Sequence, residues 1–359
     1  MIQAILRGTR QKAGSAVQPI LARAKSLAKA SISIPAPDPF LLLLVGSVVL
    51  ASLLPVRGGS AEVAGIVTQA AIGLLFFLHG SKLSREAMLA GLGAWRIHLL
   101  VLASTFVLFP VVGIAVRAAT AVWIDPLVGA GLLFLTLLPS TVQSSIALTA
   151  AAGGNVSAAV CSASLSNILG IVVTPLLAAW LLGGAGSGIS GWSVVTIALQ
   201  LLFPFLLGHL SRPLTSGFVG RHARFLSRLD RGSILLVVFT AFSASVVDGL
   251  WQRVGVRELV TILVLDALIL ALVLAATLFA ARRLGFSRKD EIVILFCGSK
   301  KSLASGVPMA GALFSPALAG PMILPLMMFH QLQLMVCAFI AGRYAASAAS
   351  DPRATSAPH

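Results

Sequence analysis

Charged residues are scarce in this chain of 359 residues: they make up 10% of it, whereas hydrophobic residues make up 58%. The mean hydropathy is correspondingly high, at +0.99. A soluble globular protein has to wet its surface, and such domains carry about 25% charged residues. The composition therefore argues against a soluble protein and predicts a polytopic membrane protein.

Cysteine is also scarce, since only Cys161, Cys297 and Cys337 are present and all three fall inside apolar runs. That placement suits small packing residues and argues against disulfides or a zinc site. The sequence contains no cluster of metal ligands, no nucleophile and histidine pair and no nucleotide-binding loop. We therefore expect no enzyme activity and no organic or metal cofactor, with a sodium ion as the one open case.

Acidic residues number only 11 against 26 basic residues, which gives a formal net charge of +15. The basic residues are scattered over short segments with almost no aromatic residues between them, so nucleic-acid binding is not expected. If the N-terminus is cytoplasmic, twenty basic residues fall in inside segments and four in outside loops. This excess predicts a protein of the inner (plasma) membrane with both termini in the cytoplasm.

The apolar runs have the length of membrane-spanning helices, and the alternating ten-residue pattern of barrel strands is absent. An all-α bundle is therefore predicted. Ten runs are expected to span the membrane: Phe40 to Leu54, Ala61 to Leu78, Ile97 to Val116, Pro126 to Ala152, Val156 to Leu182, Ser193 to Leu210, Ser233 to Leu250, Leu259 to Ala281, Ile292 to Phe314 and Pro321 to Tyr344.

Residues 1–38 form a separate basic segment with no acidic residue before Asp38. No apolar core precedes Ile32, which argues against a cleaved signal peptide. Two interpretations of this cytoplasmic tail remain open: an amphipathic helix lying on the membrane surface, or a disordered leader.

Two adjacent lysines, Lys300 and Lys301, interrupt the run from Ile292 to Phe314. A lysine near the centre of a spanning helix costs about 2.5 to 3.5 kcal/mol on insertion scales. Two neighbouring lysines can persist there only if they face protein, water or an anion, so a polar path through the protein is predicted. A second apolar run is interrupted in the first half of the chain, where Pro139 is followed by several polar residues.

The two interruptions occupy matching positions. Ser140 lies 100 residues after Phe40, and Ser299 lies 106 residues after Ser193, so each falls in the fourth of five spans. An odd number of spans makes the two halves point in opposite directions, which predicts inverted repeats over about 40–182 and 193–344. These would form a membrane domain of residues 39–345, followed by a cytoplasmic tail of residues 346–359. Interrupted helices at matching positions of inverted repeats indicate a substrate site.

An unwound helix in the middle of a membrane frees backbone groups and directs two helix ends at one spot. We expect Gly298 to permit the unwound backbone and Pro139 to force the turn by removing a hydrogen bond. Taken alone, a proline kink or a run of hydroxyl side chains often only packs helices, but the matching break favours binding. The candidate substrate-binding or ion-binding residues are Pro139, Ser140, Thr141, Gln143, Ser144, Ser145, Gly298, Ser299, Lys300, Lys301 and Ser302.

Three stretches carry a resemblance to known proteins: LLPSTVQSSIALTAAAGGN (Leu137 to Asn155), ILGIVVTPLL (Ile168 to Leu177) and FCGSKKSLASGVPM (Phe296 to Met309). They resemble the bile acid:sodium symporter superfamily, nearest the branch of sodium/bile acid cotransporter 7 and its bacterial relatives. The resemblance covers about residues 39–345. It implies a core domain built on the crossed, discontinuous fourth and ninth helices, a panel domain, and alternating access by their relative movement.

The resemblance also implies sodium as the coupling ion, but the residues of one sodium site differ. The positions of its glutamate and glutamine ligands fall on Phe296 and Lys300 here. Phenylalanine cannot coordinate sodium, whereas an ammonium supplies a positive charge itself. We therefore expect Lys300 or Lys301 to replace one ion.

The family's other sodium site is matched in part. Ser144 and Ser145 correspond to its helix-four ligands, while its helix-five hydroxyls fall on alanines, with Ser162 and Asn167 close by. Further candidates for ion coupling, taken from the residues alone, are Asp266 and Gln331. Asp266 is acidic well inside an apolar run, and pairing with a crossover lysine would make it a proton or cation switch. It is equally consistent with a residue near a helix end that packs against hydroxyls.

Together these features predict a secondary active transporter of a small organic anion that works by alternating access. Its partners would be a small-molecule or ion substrate and the lipid bilayer, and the oligomeric state stays open. Two other interpretations also remain open. One is a cation/proton antiporter that uses Asp266 and a crossover lysine, and the other is a non-transporting membrane regulator of ion entry, such as that of calcium.

Overall fold

A computed structural model describes residues 39–82, 92–182 and 191–349, without the side chains of residues 92, 191–198 and 348–349. The predicted tail of residues 1–38 and residues 350–359 of the predicted C-terminal tail lie outside the described part. Helices occur at the positions of all ten predicted apolar runs, and no strand occurs in the three described ranges. From Phe40 onward the chain forms one compact unit.

The helices are numbered in chain order. They are α1 (Pro39–Leu53), α2 (Gly59–Ser81), α3 (Trp95–Ala103), α4 (Phe109–Thr120), α5 (Pro126–Leu137), α6 (Gln143–Ala151), α7 (Val156–Leu182), α8 (Gly191–Leu210), α9 (Arg212–Arg221), α10 (Ala223–Val247), α11 (Leu250–Arg253), α12 (Val256–Arg283), α13 (Arg288–Gly298), α14 (Leu303–Leu313) and α15 (Pro316–Ala349). A 3₁₀ turn (Leu92–Ala94) precedes α3, and a π-helical turn (Ser104–Leu108) joins α3 to α4.

Helix length and composition identify the protein as a multi-pass membrane protein. Within the described ranges, six helical segments are long and apolar enough to cross a bilayer: Gly59–Ser81, Trp95–Thr120, Val156–Leu182, Ala223–Val247, Val256–Arg283 and Pro316–Ser347. Three shorter apolar helices are Pro39–Leu53, Pro126–Leu137 and Leu199–Leu210. The expected all-helical membrane fold is confirmed at this level, while the number of spans and the inverted repeats stay predictions.

Both predicted interruptions are present. Residues 138–142 separate α5 from α6, and residues 299–302 separate α13 from α14. Local sequence fixes where the half-helices begin. Pro126 occupies the first position of α5, where its missing N–H costs nothing, and Asp125 accepts from the amide of Leu127 at 2.8 Å. Ser302 caps α14 in the same manner by accepting from the amide of Ser305 at 3.1 Å.

Two features differ most from the sequence prediction, one helix start and one additional helix. Helix α10 begins at Ala223 rather than Ser233, because its first ten residues are mostly polar and lie outside the apolar run used to place the span. The short helix α9 was not predicted, since it has too few apolar residues to form a span. A helix can continue beyond its apolar run, because the thickness of the bilayer sets only the length of the apolar part.

Helices α2 and α8 cross at two glycines. A Cβ atom on Gly80 would lie 2.0 Å from the carbonyl oxygen of Phe205, and one on Gly208 would lie 2.0 Å from that of Phe77. Only glycine permits backbones to approach this closely. This contact joins α2 and α8, and α10 also packs against α2.

Polar side chains hold the start of α13 against its neighbours. The Glu291 carboxylate accepts from Arg282 on α12 at 3.0 Å and from the Tyr344 hydroxyl on α15 at 2.5 Å. Asn155, in the turn before α7, donates to Asp290 at 3.1 Å. These contacts fix the direction in which α13 runs toward its break.

Candidate functional site

The two helix breaks lie against each other. The amide of Ser302 donates to the carbonyl of Pro139 at 2.9 Å. The hydroxyls of Ser140 and Ser145 donate to the carbonyls of Cys297 and Phe296, at 2.6 and 3.0 Å, in the last turn of α13. We call residues 138–142 and 299–302, with the helix ends beside them, the crossover. The backbone groups freed at the breaks thus find partners across the crossover, one in the backbone of the other break and two in serine hydroxyls.

Asn167 on α7 connects both breaks. Its side-chain amide donates to the carbonyl of Ser140 at 2.7 Å, and its carbonyl oxygen accepts from the hydroxyl of Ser305 on α14 at 2.7 Å. The neighbouring Ser166 accepts from the amide of Ser140 at 3.0 Å. Asn167, a candidate for ion coupling from the sequence, therefore lies at the crossover, and Ser166 joins the same contacts.

Lys301 is fully buried, and its ammonium makes all three hydrogen bonds that it can donate. It donates to three backbone carbonyls, those of Thr105, Thr136 and Leu138, at 2.8, 2.7 and 2.7 Å. It also lies 4.1 Å from the centre of the Phe109 ring, within range of a cation–π contact. An ammonium has three hydrogens, so this carbonyl cage uses its whole donor capacity.

The three carbonyls can accept from Lys301 because none of them has a backbone N–H donor within its own helix. Those of Thr136 and Leu138 lie at the C-terminal end of α5, where no intrahelical donor remains. The carbonyl of Thr105 lies in the π-helical turn: the Phe109 amide donates to Ser104 instead, and the next candidate donor, Pro110, has no N–H. Pro110 was the sequence signal for this third ligand, and sequence reasoning missed it.

Gln333 on α15 clamps the backbone of Lys301 from both sides. Its side-chain oxygen accepts from the Lys301 amide at 2.8 Å, and its side-chain nitrogen donates to the Lys301 carbonyl at 2.8 Å. The sequence prediction favoured Gln331, which is half-buried and makes no such contact. Two residues along a helix turn a side chain by about 200°, so only one of these glutamines can face the crossover.

Lys300 is equally buried but poorly bonded. Its ammonium donates a single hydrogen bond, to the hydroxyl of Ser144, at a long 3.4 Å, and lies 5.8 Å from the Phe296 ring centre. Hydrogen bonds from nitrogen to oxygen normally measure 2.7–3.2 Å. The two lysines, which sequence reasoning treated as equivalent, therefore have different surroundings.

A short chain of hydroxyls lies beside Lys300 at the start of α6. Ser144 donates to Thr141 at 2.9 Å, and Thr141 is 2.8 Å from the hydroxyl of Ser145. Gln143, at the first position of α6, is exposed. This end of α6 thus offers hydroxyls and an exposed amide next to an ammonium.

The role expected for Gly298 was wrong. It does not adopt a left-handed backbone conformation, and it is the last residue of α13 rather than part of the unwound segment. A Cβ there would lie 3.3 Å from Thr277 and 3.4 Å from Ser104, whose hydroxyl donates to the Gly298 carbonyl at 2.7 Å. Glycine here allows close packing against these two side chains. Ser299 donates to the carbonyl of Leu295 at 2.5 Å and closes the same helix end.

Two candidates lie away from the crossover contacts. Ser162 is 2.7 Å from the Nδ1 of His98 on α3. Asp266 on α12 is fully buried, and neither carboxylate oxygen has a hydrogen-bond partner among the described residues. The suggested ion pair with Lys300 or Lys301 is not formed. Asp266 lies eleven residues, or about 16 Å, along α12 from Thr277, which touches the crossover.

The chain is similar to known proteins over most of its length. Residues 38–346 match the SBF-like CPA transporter family. The chain is 53% identical over 307 residues to "Putative symporter YfeH" of Escherichia coli K12, covering 86% of this chain and 92% of that protein. It is 54% identical over 310 residues to "Uncharacterized protein PA2026" of Pseudomonas aeruginosa, covering 86% and 93%.

More distant similarity reaches animal proteins. The chain is 25% identical over 302 residues to "Sodium/bile acid cotransporter 7" of Rattus norvegicus, covering 82% of this chain and 88% of that protein. The resemblance drawn from the three sequence stretches is confirmed, and the family is one of transporters rather than enzymes. This protein belongs to the SBF-like CPA transporter family.

Proposed function

We propose that this protein is a secondary active transporter that carries a small organic anion by alternating access, and that the anion binds beside Lys300. The observation that carries this proposal is the state of that ammonium, which is fully buried with one long hydrogen bond. A buried cation without acceptors is strongly destabilised. An anionic group would supply both the missing charge and the missing acceptors.

The neighbouring groups suit the rest of such a ligand. The Ser144 hydroxyl, which donates only to Thr141, can turn toward an oxygen-rich group, and the exposed Gln143 stands at the positive end of the α6 dipole. Ser145 is occupied, because it donates to the Phe296 carbonyl. Ser140, Ser299 and Ser302 are occupied by backbone contacts and hold the crossover in shape. Pro139 has a similar role, since its ring packs on Gly170.

The names of the relatives support a transported anion but do not identify it. YfeH carries the name "Putative symporter", and the animal proteins are named sodium/bile acid cotransporters. We carry over the class, an organic anion moved with a coupling ion. Bile acid as the specific substrate is not part of this proposal.

We further propose that Lys301 takes the place of one coupling cation. Three carbonyl oxygens at 2.7–2.8 Å around its ammonium are the kind of donor set that would otherwise hold a monovalent metal ion. Because this charge is covalently attached, it would remain in place through every transport cycle. Coupling to sodium would then depend on another site, for which Ser144 and Ser145 remain candidates.

The architecture proposed for this mechanism has ten spans in two inverted repeats, residues 40–182 and 193–344, with both termini in the cytoplasm. The core would contain α3–α7 and α12–α15, joined at the crossover. The panel would contain α1, α2, α8 and α10, in which α2 packs against both α8 and α10. The mutual contact of two breaks at matching positions supports this arrangement.

One observation favours a second candidate, a cation/proton antiporter. Asp266 is a buried carboxyl group with no hydrogen-bond partner among the described residues, which suits a neutral acid that ionises only in another conformation. We rank it second because Asp266 and the crossover lysines are not paired. The non-transporting regulator has no supporting contact of its own.

The proposal is tested with purified protein in detergent, then in liposomes. We would measure the thermal unfolding temperature with acetate, succinate, benzoate and cholate at fixed pH and ionic strength, for wild type, Lys300→Met and Lys301→Met. Saturable stabilisation of wild type by one anion class, lost in Lys300→Met and kept in Lys301→Met, is expected. The same anion as a radiolabelled tracer should exchange into liposomes. Equal stabilisation of wild type and Lys300→Met would overturn the proposed site, and binding without exchange would favour a regulator.

A further inference from the structure

A groove lined mainly by apolar residues opens at the surface of the protein. It has a volume of about 570 Å³ and runs between α2 and α10. Its walls are small or aliphatic, and Phe225 and Arg228 stand at one end. The main wall residues are Val67, Ala71 and Leu74 on α2 and Leu229, Gly232 and Leu236 on α10.

Two arginines of α10, Arg224 and Arg228, have no acidic partner among the described residues, and Arg228 lines the groove at its Phe225 end. Arg224 and Arg228 are both exposed, and neither has an ion pair, hydrogen bond or ring contact among the described residues. They are four residues apart on α10 and so lie on one face of the helix. Like charges at this spacing repel each other, so an anion between them would stabilise the helix.

The preceding helix adds a membrane-surface element. No residue of α9 is buried, and its apolar side chains Leu214 and Phe218 are 88% and 51% exposed. They lie four residues apart on one face, flanked by Arg212 and Arg221. A short helix with an apolar face and basic ends lies in the interface between headgroups and acyl chains. This places the Arg228 end of the groove at headgroup level.

The length of the groove fits a single acyl chain. From Phe225 to Leu236, α10 rises about 16 Å. One leaflet of the hydrocarbon core is about half of 30 Å thick. A groove that starts beside unpaired arginines and extends one leaflet deep matches a phospholipid in both charge and size.

We propose that this groove is a binding site for one anionic phospholipid, with its phosphate on Arg224 and Arg228 and one acyl chain along α2 and α10. The site is separate from the crossover and does not depend on the proposed transport function. Because α2 and α10 belong to the proposed panel, bound lipid would stabilise the pairing of these two helices.

The test measures thermal unfolding in detergent while dioleoyl phosphatidylglycerol, dioleoyl phosphatidylcholine or free glycerol phosphate is titrated. Saturable stabilisation by phosphatidylglycerol alone is expected for wild type. Removing one charge, as Arg224→Gln or Arg228→Gln, should weaken the apparent affinity about fivefold, since a basic residue contributes about 1 kcal/mol at an anionic surface. Arg257→Gln, which removes an exposed arginine on α12, is the matched control and should behave as wild type.

A second pair of variants tests the acyl chain. Nothing lies within 4 Å of a Cβ on Gly232, so Gly232→Leu should fold and fill the groove, whereas Gly232→Ala leaves it open. Phosphatidylglycerol should stabilise the alanine variant and not the leucine variant. Equal effects of the two phospholipids, unchanged affinity of Arg228→Gln, or full stabilisation by free glycerol phosphate would each overturn the proposal.

Discussion

The amide of Ser302 donates a 2.9 Å hydrogen bond to the carbonyl of Pro139, and through this bond each helix break supports the other. Pro139 cannot continue α5, and Ser302 is the cap of α14. Their contact places the C-terminal carbonyls of α5 opposite Lys301, the residue directly before Ser302. The position of Lys301 in its carbonyl cage therefore follows from the way the two breaks meet.

The first prediction concerns the carbonyl cage. Lys301→Met removes the ammonium and leaves three buried carbonyls unpaired, which should destabilise the protein by at least about 1 to 3 kcal/mol in choline chloride. Sodium or potassium should restore much of the thermal unfolding temperature in a saturable manner, because a metal ion can occupy the vacated cage. Thermal unfolding in the three chloride salts at one ionic strength measures this.

Lys300→Met is the matched control for this prediction. It removes the same charge from the next residue, but that ammonium has only one long hydrogen bond, so its loss should leave stability unchanged or increased. Wild type should unfold at one temperature in all three salts if no other cation site contributes. A Lys301→Met protein that is folded and indifferent to the cation would contradict the replacement of an ion by Lys301.

The second prediction separates two neighbouring glutamines. Gln333→Leu should destabilise the protein by at least about 1 to 3 kcal/mol, because the buried amide and carbonyl of Lys301 lose their partners. Gln331→Leu should change stability little, since Gln331 makes no such contact. The thermal unfolding temperatures of the two variants test this prediction. An equal loss of stability in both would be inconsistent with a clamp formed by Gln333 alone.

How far the sequence could predict the crossover is clear from Lys301. Its location inside an apolar run indicated a polar break, and Pro139 with its hydroxyl neighbours indicated the second break. Its ligands, however, are main-chain carbonyls, which every residue has, so side-chain identity carries no signal for them. The exception is Pro110, whose missing N–H frees the Thr105 carbonyl, and it could be noticed only once a π-helical turn was known.

The choice between Lys300 and Lys301, or between Gln331 and Gln333, required the helix rotation that packing sets. Composition and run length predicted the helical membrane fold without that information. Gly298 was misinterpreted because a glycine at a helix break can provide either backbone freedom or close packing. The sequence does not distinguish the two, whereas the nearby side chains of Ser104 and Thr277 indicate close packing.

The third prediction concerns the glycine crossing of α2 and α8. Gly80→Ala places a methyl group about where the Phe205 carbonyl lies, so the helices must separate, and stability should fall by about 1 to 3 kcal/mol or more. Gly73→Ala on the same helix meets nothing within 4 Å and should be neutral or stabilising by up to about 1 kcal/mol. Thermal unfolding measures both, and a stable Gly80→Ala protein would show that the crossing is looser than described.

The last prediction concerns Asp266, whose carboxyl group is buried without a hydrogen-bond partner among the described residues. If it serves no coupling role, Asp266→Leu should raise stability by about 1 to 4 kcal/mol, because an apolar side chain of similar size fits an apolar site better. Asp266→Asn keeps a polar group there and should show little of this gain. If Asp266 instead carries a proton, both variants should fold and both should lose any dependence of transport on a pH gradient in liposomes. Loss of folding in Asp266→Leu alone would mean that the carboxyl group has an essential partner, and both roles would then be wrong.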